Sequence, residues 1–107
     1  MRWYKHLYVG EKAKKKRFSM IQGLRREKVQ PGVHVIVPAA GEKNILDILS
    51  AAELTRDYYK KKPDLLILGI AANYFEALEV AGKIVHDMYT ATSGFELEAF
   101  LEIKEQR

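Results

Sequence analysis

Two short apolar segments constrain the fold of this chain more than any other feature. Residues 33–37 are rich in β-branched side chains and are bounded by Gly32 and Pro38, and residues 65–70 form a continuous apolar run. Short apolar runs that end at turn residues are typical of strands buried on both faces. We therefore predict two inner strands, covered by helices on both sides.

Helical patterns lie on either side of the first strand. Residues 11–28 are good helix formers with apolar positions at helical spacing, and Pro31 and Gly32 follow them. Ser50 is followed three residues later by Glu53, which predicts a capped helix start. The sequence leaves the secondary structure of residues 44–49 undecided, because they fit either a helix or a strand that pairs back on residues 33–37.

Two further helices are predicted after the second strand. Asn73 has the spacing of a helix cap with Glu76, which we expect to return a hydrogen bond to the cap. Residues 93–103 alternate like a strand, but their Leu, Glu and Ala content and the Ser93–Glu96 spacing favour a short helix.

This order of elements predicts an α/β fold. Residues 33–70 are expected to form a βαβ unit with two parallel strands, in a small two- or three-stranded sheet packed by about four helices. A sheet this small has exposed edges, which either residues 44–49 or a second copy of the chain would cover. At 107 residues, the expectation is a single α/β domain over residues 1–107, with a basic N-terminal helix.

Composition argues against several classes of protein. The chain has no cysteine, which excludes disulfides and thiolate metal sites. Its longest apolar run, residues 65–72, is far shorter than the roughly 20 residues of a membrane span. No signal peptide is evident, so we expect a cytoplasmic protein without a membrane partner.

Several short segments together resemble a small family of uncharacterised bacterial proteins. The resemblance runs nearly end to end, and it implies no activity and no role for any residue. The segments are Trp3-Tyr4, Leu7-Tyr8-Val9-Gly10-Glu11-Lys12, Leu46-Asp47-Ile48, Tyr58-Tyr59-Lys60, Gly69-Ile70-Ala71 and Glu76-Ala77.

No motif for catalysis, a cofactor or a metal is recognisable. The serines lack a nucleophile elbow, and the three histidines are scattered. Gly41-Glu42-Lys43-Asn44 does not match a phosphate-binding loop, because Lys does not follow Gly directly and Ile36 stands where another Gly is needed. We therefore predict no catalytic residue, no metal site and no cofactor, and favour a non-enzymatic protein.

Charge is distributed unevenly along the chain. Residues 1–30 hold ten Lys and Arg against two acidic residues, whereas the whole chain has a net charge of +4. On a helix, this segment would present a basic surface for nucleic acid or an acidic protein, unless it faces the chain's own acidic tail. Nearby Trp3, Tyr4 and Tyr8 would then be placed to stack on bases. The predicted binding residues are Lys12, Lys15, Lys16, Arg25 and Arg26.

A second candidate site depends on the predicted parallel strands. Their carboxyl ends would bring together the loops that contain Gly41 and Ala71–Asn73, and ligands of open α/β sheets bind at such ends. Free amides at the helix start after Asn73 would hold an anion. The leading hypothesis is thus a basic binding domain; the alternative is a small-molecule or anion-binding domain, and a third is a structural homodimer or adaptor.

Overall fold

Both predicted inner strands lie in the middle of a four-stranded mixed sheet. In the computed structural model, which describes residues 1–105, the strands are β1 (Arg2–Val9), β2 (His34–Pro38), β3 (Leu46–Ser50) and β4 (Leu66–Ala71), in the spatial order β1-β4-β2-β3. The α/β class is therefore confirmed, and the sheet has more strands than the two or three expected.

The predicted βαβ unit is wrong, because β2 and β4 are antiparallel neighbours, with His34 opposite Ala71 and Ile36 opposite Gly69. The reason lies in residues 44–49. They provide most of β3, which forms an antiparallel hairpin with β2 and pairs Pro38 with Leu46. The hairpin reverses the chain before the crossover begins, so the next strand enters the sheet antiparallel to β2.

The parallel pair in the sheet is instead β1 with β4. Strand β1 was not predicted. In its pairing with β4, Trp3 lies opposite Ile67 and Tyr8 lies opposite Gly69. The register shifts between these two pairs, so residues 4–7 form an irregular segment. β1 and β3 are the two edge strands.

Helices cover both faces of the sheet. The structure has α1 (Arg17–Arg25), α2 (Ala51–Leu54), α3 (Asp57–Lys60), α4 (Tyr74–Thr92) and α5 (Leu97–Glu105), and a 3₁₀ turn precedes α1 at Lys14–Lys16. One core contains side chains from α1 and α2, and the other contains side chains from α4 and α5. β2 contributes Val35 and Val37 to the first core and Ile36 to the second, as predicted for a strand covered on both sides.

Some of the predicted helix caps are present in the structure and one is not. The Ser50–Glu53 capping box is present at α2, and the Asn73 side chain caps α4 by accepting a hydrogen bond from the Glu76 amide. Ser93 does not cap α5: it is the left-handed residue that ends α4, with φ of 57°. The basic N-terminal helix is shorter than expected, because residues 11–16 form a turn and a 3₁₀ segment.

No helix among residues 1–105 is both long enough and apolar enough to cross a bilayer.

Candidate functional site

The carboxyl ends of the two parallel strands lie against the start of α4, and the protein's own carboxylate fills the space between them. Glu76 is 6% exposed. Its Oε2 accepts a hydrogen bond from the Lys12 amide at 2.7 Å, and its Oε1 accepts one from the Ala72 amide at 2.9 Å. Glu76 therefore does not return a hydrogen bond to Asn73 as predicted, because its carboxylate binds amides that follow β1 and β4 instead.

This arrangement corrects the predicted anion site. Ala71, Ala72 and Asn73 lie beside the turn that follows β1, whereas Gly41 follows the carboxyl end of β2, at the opposite end of the sheet. Antiparallel pairing of β2 with β4 separates these two groups. Two of the amides after β4 are also occupied: Glu76 accepts from the Ala72 amide, and Asn73 accepts from the Glu76 amide. An intramolecular carboxylate thus holds the position that an external anion would take.

The predicted basic residues are all exposed. Lys12, Lys15, Lys16, Arg25 and Arg26 lie on or beside the 3₁₀ turn and α1, and we call these five residues the basic surface. Two ion pairs form among the side chains that the structure describes, Lys14–Glu11 and Lys60–Glu27, and neither uses a residue of the basic surface. Arg25 nevertheless has a contact within the chain, because its guanidinium lies over the Trp3 ring.

The chain's acidic tail does not neutralise the basic surface. Helix α5, with exposed Glu96, Glu98 and Glu102 in and just before it, belongs to the α4 layer, and α1 belongs to the opposite layer. The sheet separates the two helices. Of the two arrangements that the charge distribution allowed, the structure thus has the one in which the basic segment faces solvent.

The aromatic residues expected to stack on bases already have other contacts. The Arg25 guanidinium lies 5.7 Å from the centre of the Trp3 ring, and Tyr4 is buried. The Tyr8 hydroxyl donates a 2.6 Å hydrogen bond to Asp87. Burial raises the pKa of the Tyr8 phenol well above its ordinary value, and the hydrogen bond to Asp87 raises it further. Phe18, in contrast, is 84% exposed on α1.

A groove of about 350 Å³ runs along the open side of β1. Consecutive residues of β1 line it, although their side chains alternate between the two faces of the sheet. Residues from the helical layers on both faces line it as well. A single groove can touch all of them only at the edge of the sheet. We call it the β1 edge groove, and its lining residues are His6, Leu7, Tyr8, Val9, Glu11, Lys14, Arg17, Val80 and Lys83.

Positive charge predominates in the β1 edge groove. The Lys14 Nζ lies 2.8 Å from the Glu11 Oε1, and this hydrogen bond lowers the pKa of the Glu11 carboxyl, which Lys83 lowers further. Arg17 and Lys83 form no ion pair within the described part of the chain. Glu11 offsets Lys14, so two cations remain for a ligand.

Sequence reasoning located the basic surface but missed most of the groove. Helical spacing places Arg17 among the apolar positions of residues 11–28, which predicts either a stem along the core edge or an ion pair with an acid of the C-terminal helix. The Arg17 side chain is exposed, and the C-terminal helix lies on the other face of the sheet. Lys83 and His6 belong to no motif. The one available signal was the apolar Leu7-Tyr8-Val9 segment, which is long enough for a short strand beside the lysine run.

Neither a metal-binding cluster in residues 1–105 nor a matching protein family assigns a function. Among residues 1–105, no cluster of three His, Asp or Glu side chains is placed to hold a metal ion. Comparison with known protein families found no match, and comparisons with curated proteins and with solved structures also found none. Function must therefore be inferred from the surfaces themselves.

Proposed function

We propose that this chain is a non-enzymatic binding domain that recognises an acidic segment of another protein. The observation that carries the proposal is the position of the basic surface, which faces solvent while the acidic α5 lies across the sheet. Unpaired cations on one side of a domain raise the local concentration of anionic partners and increase their association rates.

An acidic protein is favoured over nucleic acid by two contacts. Binding of single-stranded nucleic acid depends on aromatic faces that are free to stack on bases. Here Arg25 covers Trp3, and Tyr8 is partly buried and bonded to Asp87. Phe18 is an exposed ring on α1, whereas such binding stacks successive bases on several rings. In addition, the open strand edge beside Arg17 offers an alternating row of backbone donors and acceptors that an extended peptide can match as an added strand.

The small-molecule alternative has less support, because Glu76 and Asn73 already use the amides that would hold an anion. A structural or adaptor role is compatible with the two edge strands, but no contact in the structure favours it over acidic-segment binding.

Binding to a fluorescent poly-L-glutamate tests the proposal. We expect binding that weakens as salt increases, because the interaction is between exposed charges. Replacing Lys15, Lys16 and Arg26 with Glu should abolish it. The matched control replaces Lys43, Arg56 and Lys61 with Glu; these residues are also exposed, and the net charge changes equally.

The same titration is run with a single-stranded RNA of mixed sequence. Tighter binding to RNA than to poly-L-glutamate at equal ionic strength would overturn the choice of an acidic protein. Absence of binding to both polymers, or equal losses from both triple variants, would overturn the basic surface as the binding site.

A further inference from the structure

We propose that the acidic segment binds in an extended conformation as an added strand on β1, inside the β1 edge groove, with Arg17 and Lys83 binding its carboxylates from opposite sides. This inference rests on the proposed function and gives the partner a second contact, since the groove includes Lys14 and Arg17 next to the basic surface but none of its five residues. The observation behind it is that an unpaired strand edge and two unpaired cations line the same groove.

The edge of β1 has backbone groups free to pair. The Arg2 amide donates to the Leu65 carbonyl and the Gly10 amide donates to the Ile70 carbonyl, so both amides point towards β4. Backbone groups of a regular strand alternate in direction, so between Tyr8 and Gly10 the Val9 amide points away from β4, on the side of the groove. Addition of a strand to such an edge is a common mode of peptide recognition.

The edge is open only over a short stretch. Residues 4–7 are irregular against β4, and Lys5 and His6 are exposed and polar. Irregular pairing and charged side chains are the devices by which proteins protect an edge from unwanted pairing. Regular pairing with β4 resumes at Tyr8, where the groove lies, so the added strand pairs beside residues 7–9.

The two cations predict the sequence of the bound strand. Arg17 belongs to the layer of α1, and Lys83 belongs to α4 in the other layer, so they approach the edge from opposite faces of the sheet. Side chains of an extended peptide alternate between these faces. Two adjacent acidic residues would therefore place one carboxylate towards each cation, and the Arg17 guanidinium offers a two-pronged hydrogen bond to its carboxylate.

Two peptides of equal composition test the arrangement. Val-Thr-Glu-Glu-Val-Thr places its two acids on opposite faces, and Val-Glu-Thr-Glu-Val-Thr places both on one face. Each peptide carries an N-terminal acetyl group and a C-terminal amide. We expect the first to bind the full chain more tightly, with a dissociation constant lower by about tenfold, as for one additional charge-assisted contact. Arg17→Gln and Lys83→Gln should each reduce this preference.

Amide hydrogen exchange reports the added strand directly. Saturation with the first peptide should slow exchange at the Val9 amide by about tenfold or more, because this amide becomes hydrogen-bonded. A version of the peptide that is N-methylated at every residue keeps its charges, but its methyl groups prevent the close approach of two paired strands, so it should not slow exchange at this amide.

The outcomes separate the two proposals. If poly-L-glutamate binds and the Lys15, Lys16 and Arg26 variant loses binding, yet exchange at the Val9 amide is unchanged by peptide, strand addition is wrong and the proposed function stands. Equal binding of the two peptides also overturns the arrangement around Arg17 and Lys83. If no acidic probe binds, both proposals fail.

Discussion

The Glu76 carboxylate occupies the space that a side chain at Gly10 would need. A Cβ built on Gly10 would lie 2.2 Å from the Glu76 Oε1, far inside van der Waals contact. The carboxylate cannot move aside freely, since it accepts hydrogen bonds from the Lys12 and Ala72 amides. Glycine at the end of β1 therefore permits the contact that joins the basic segment to α4.

Gly10→Ala should destabilise the fold by about 1–3 kcal/mol, the cost of breaking hydrogen bonds to buried groups when Glu76 is displaced. Urea unfolding monitored by circular dichroism measures the change. The control is Gly82→Ala, because that position is exposed, has open space around it and lies within α4. There, alanine should stabilise by up to about 1 kcal/mol. Equal effects at both positions would contradict the role of Gly10.

Glu76→Gln should cost a similar amount, about 1–3 kcal/mol, although it preserves shape. An amide side chain has one accepting oxygen, so its NH₂ group would face either the Lys12 or the Ala72 amide, both of which need an acceptor. Glu79→Gln, an exposed change in the same helix, is the control. If thermal unfolding shows the same small shift for both variants, the two amide contacts do not stabilise the fold.

Tyr8 should make stability fall at alkaline pH. Burial and the hydrogen bond to Asp87 raise its pKa, so the folded state keeps the phenol proton at a pH where the unfolded chain loses it. The unfolded state then binds fewer protons, and the free energy of unfolding decreases as pH rises above the ordinary tyrosine value of about 10. In Tyr8→Phe this decrease should be smaller. Urea unfolding between pH 8 and pH 11 measures it, with Tyr89→Phe, an exposed tyrosine, as the control. Identical slopes of the free energy of unfolding against pH for wild type and Tyr8→Phe would contradict this prediction.

Ser93→Gly should stabilise the fold by about 0.5–1 kcal/mol. Ser93 ends α4 with φ of 57°, a conformation that glycine adopts without the steric cost that a Cβ imposes. Ser19→Gly, at an exposed position inside α1, should have the opposite sign because glycine disfavours helix interiors. A decrease in melting temperature for Ser93→Gly would show that the serine has a favourable contact there.

Local patterns predicted the elements better than their arrangement. Residues 33–37 and 65–70 were predicted as strands because their hydrophobicity and turn residues are local signals. β1 was missed because its Arg2, Lys5 and His6 are exposed at a sheet edge, and its strand conformation depends on pairing with β4, distant in sequence. Context of this kind decides strand formation more than intrinsic preference does.

The direction of β4 could not be predicted for a similar reason. It depended on residues 44–49, which fit either a helix or a strand; as a strand they make the hairpin that sets β4 antiparallel to β2. The same limit applied to the site. The lysine run identified the basic surface, but the groove needs Lys83 from a helix beyond β4, and no spacing in the sequence relates it to Arg17.

The position of β4 between β1 and β2 also determines the order in which the strands can pair during synthesis. Arg2 pairs with Leu66, so the first strand has no neighbour in the sheet until residue 66 has emerged. The β2–β3 hairpin closes from nearby residues, but it too meets the first strand only through β4. Contacts between such distant positions form slowly. β1 therefore stays without a partner in the sheet until β4 has been made, and that one strand completes the sheet by joining β1 to the hairpin.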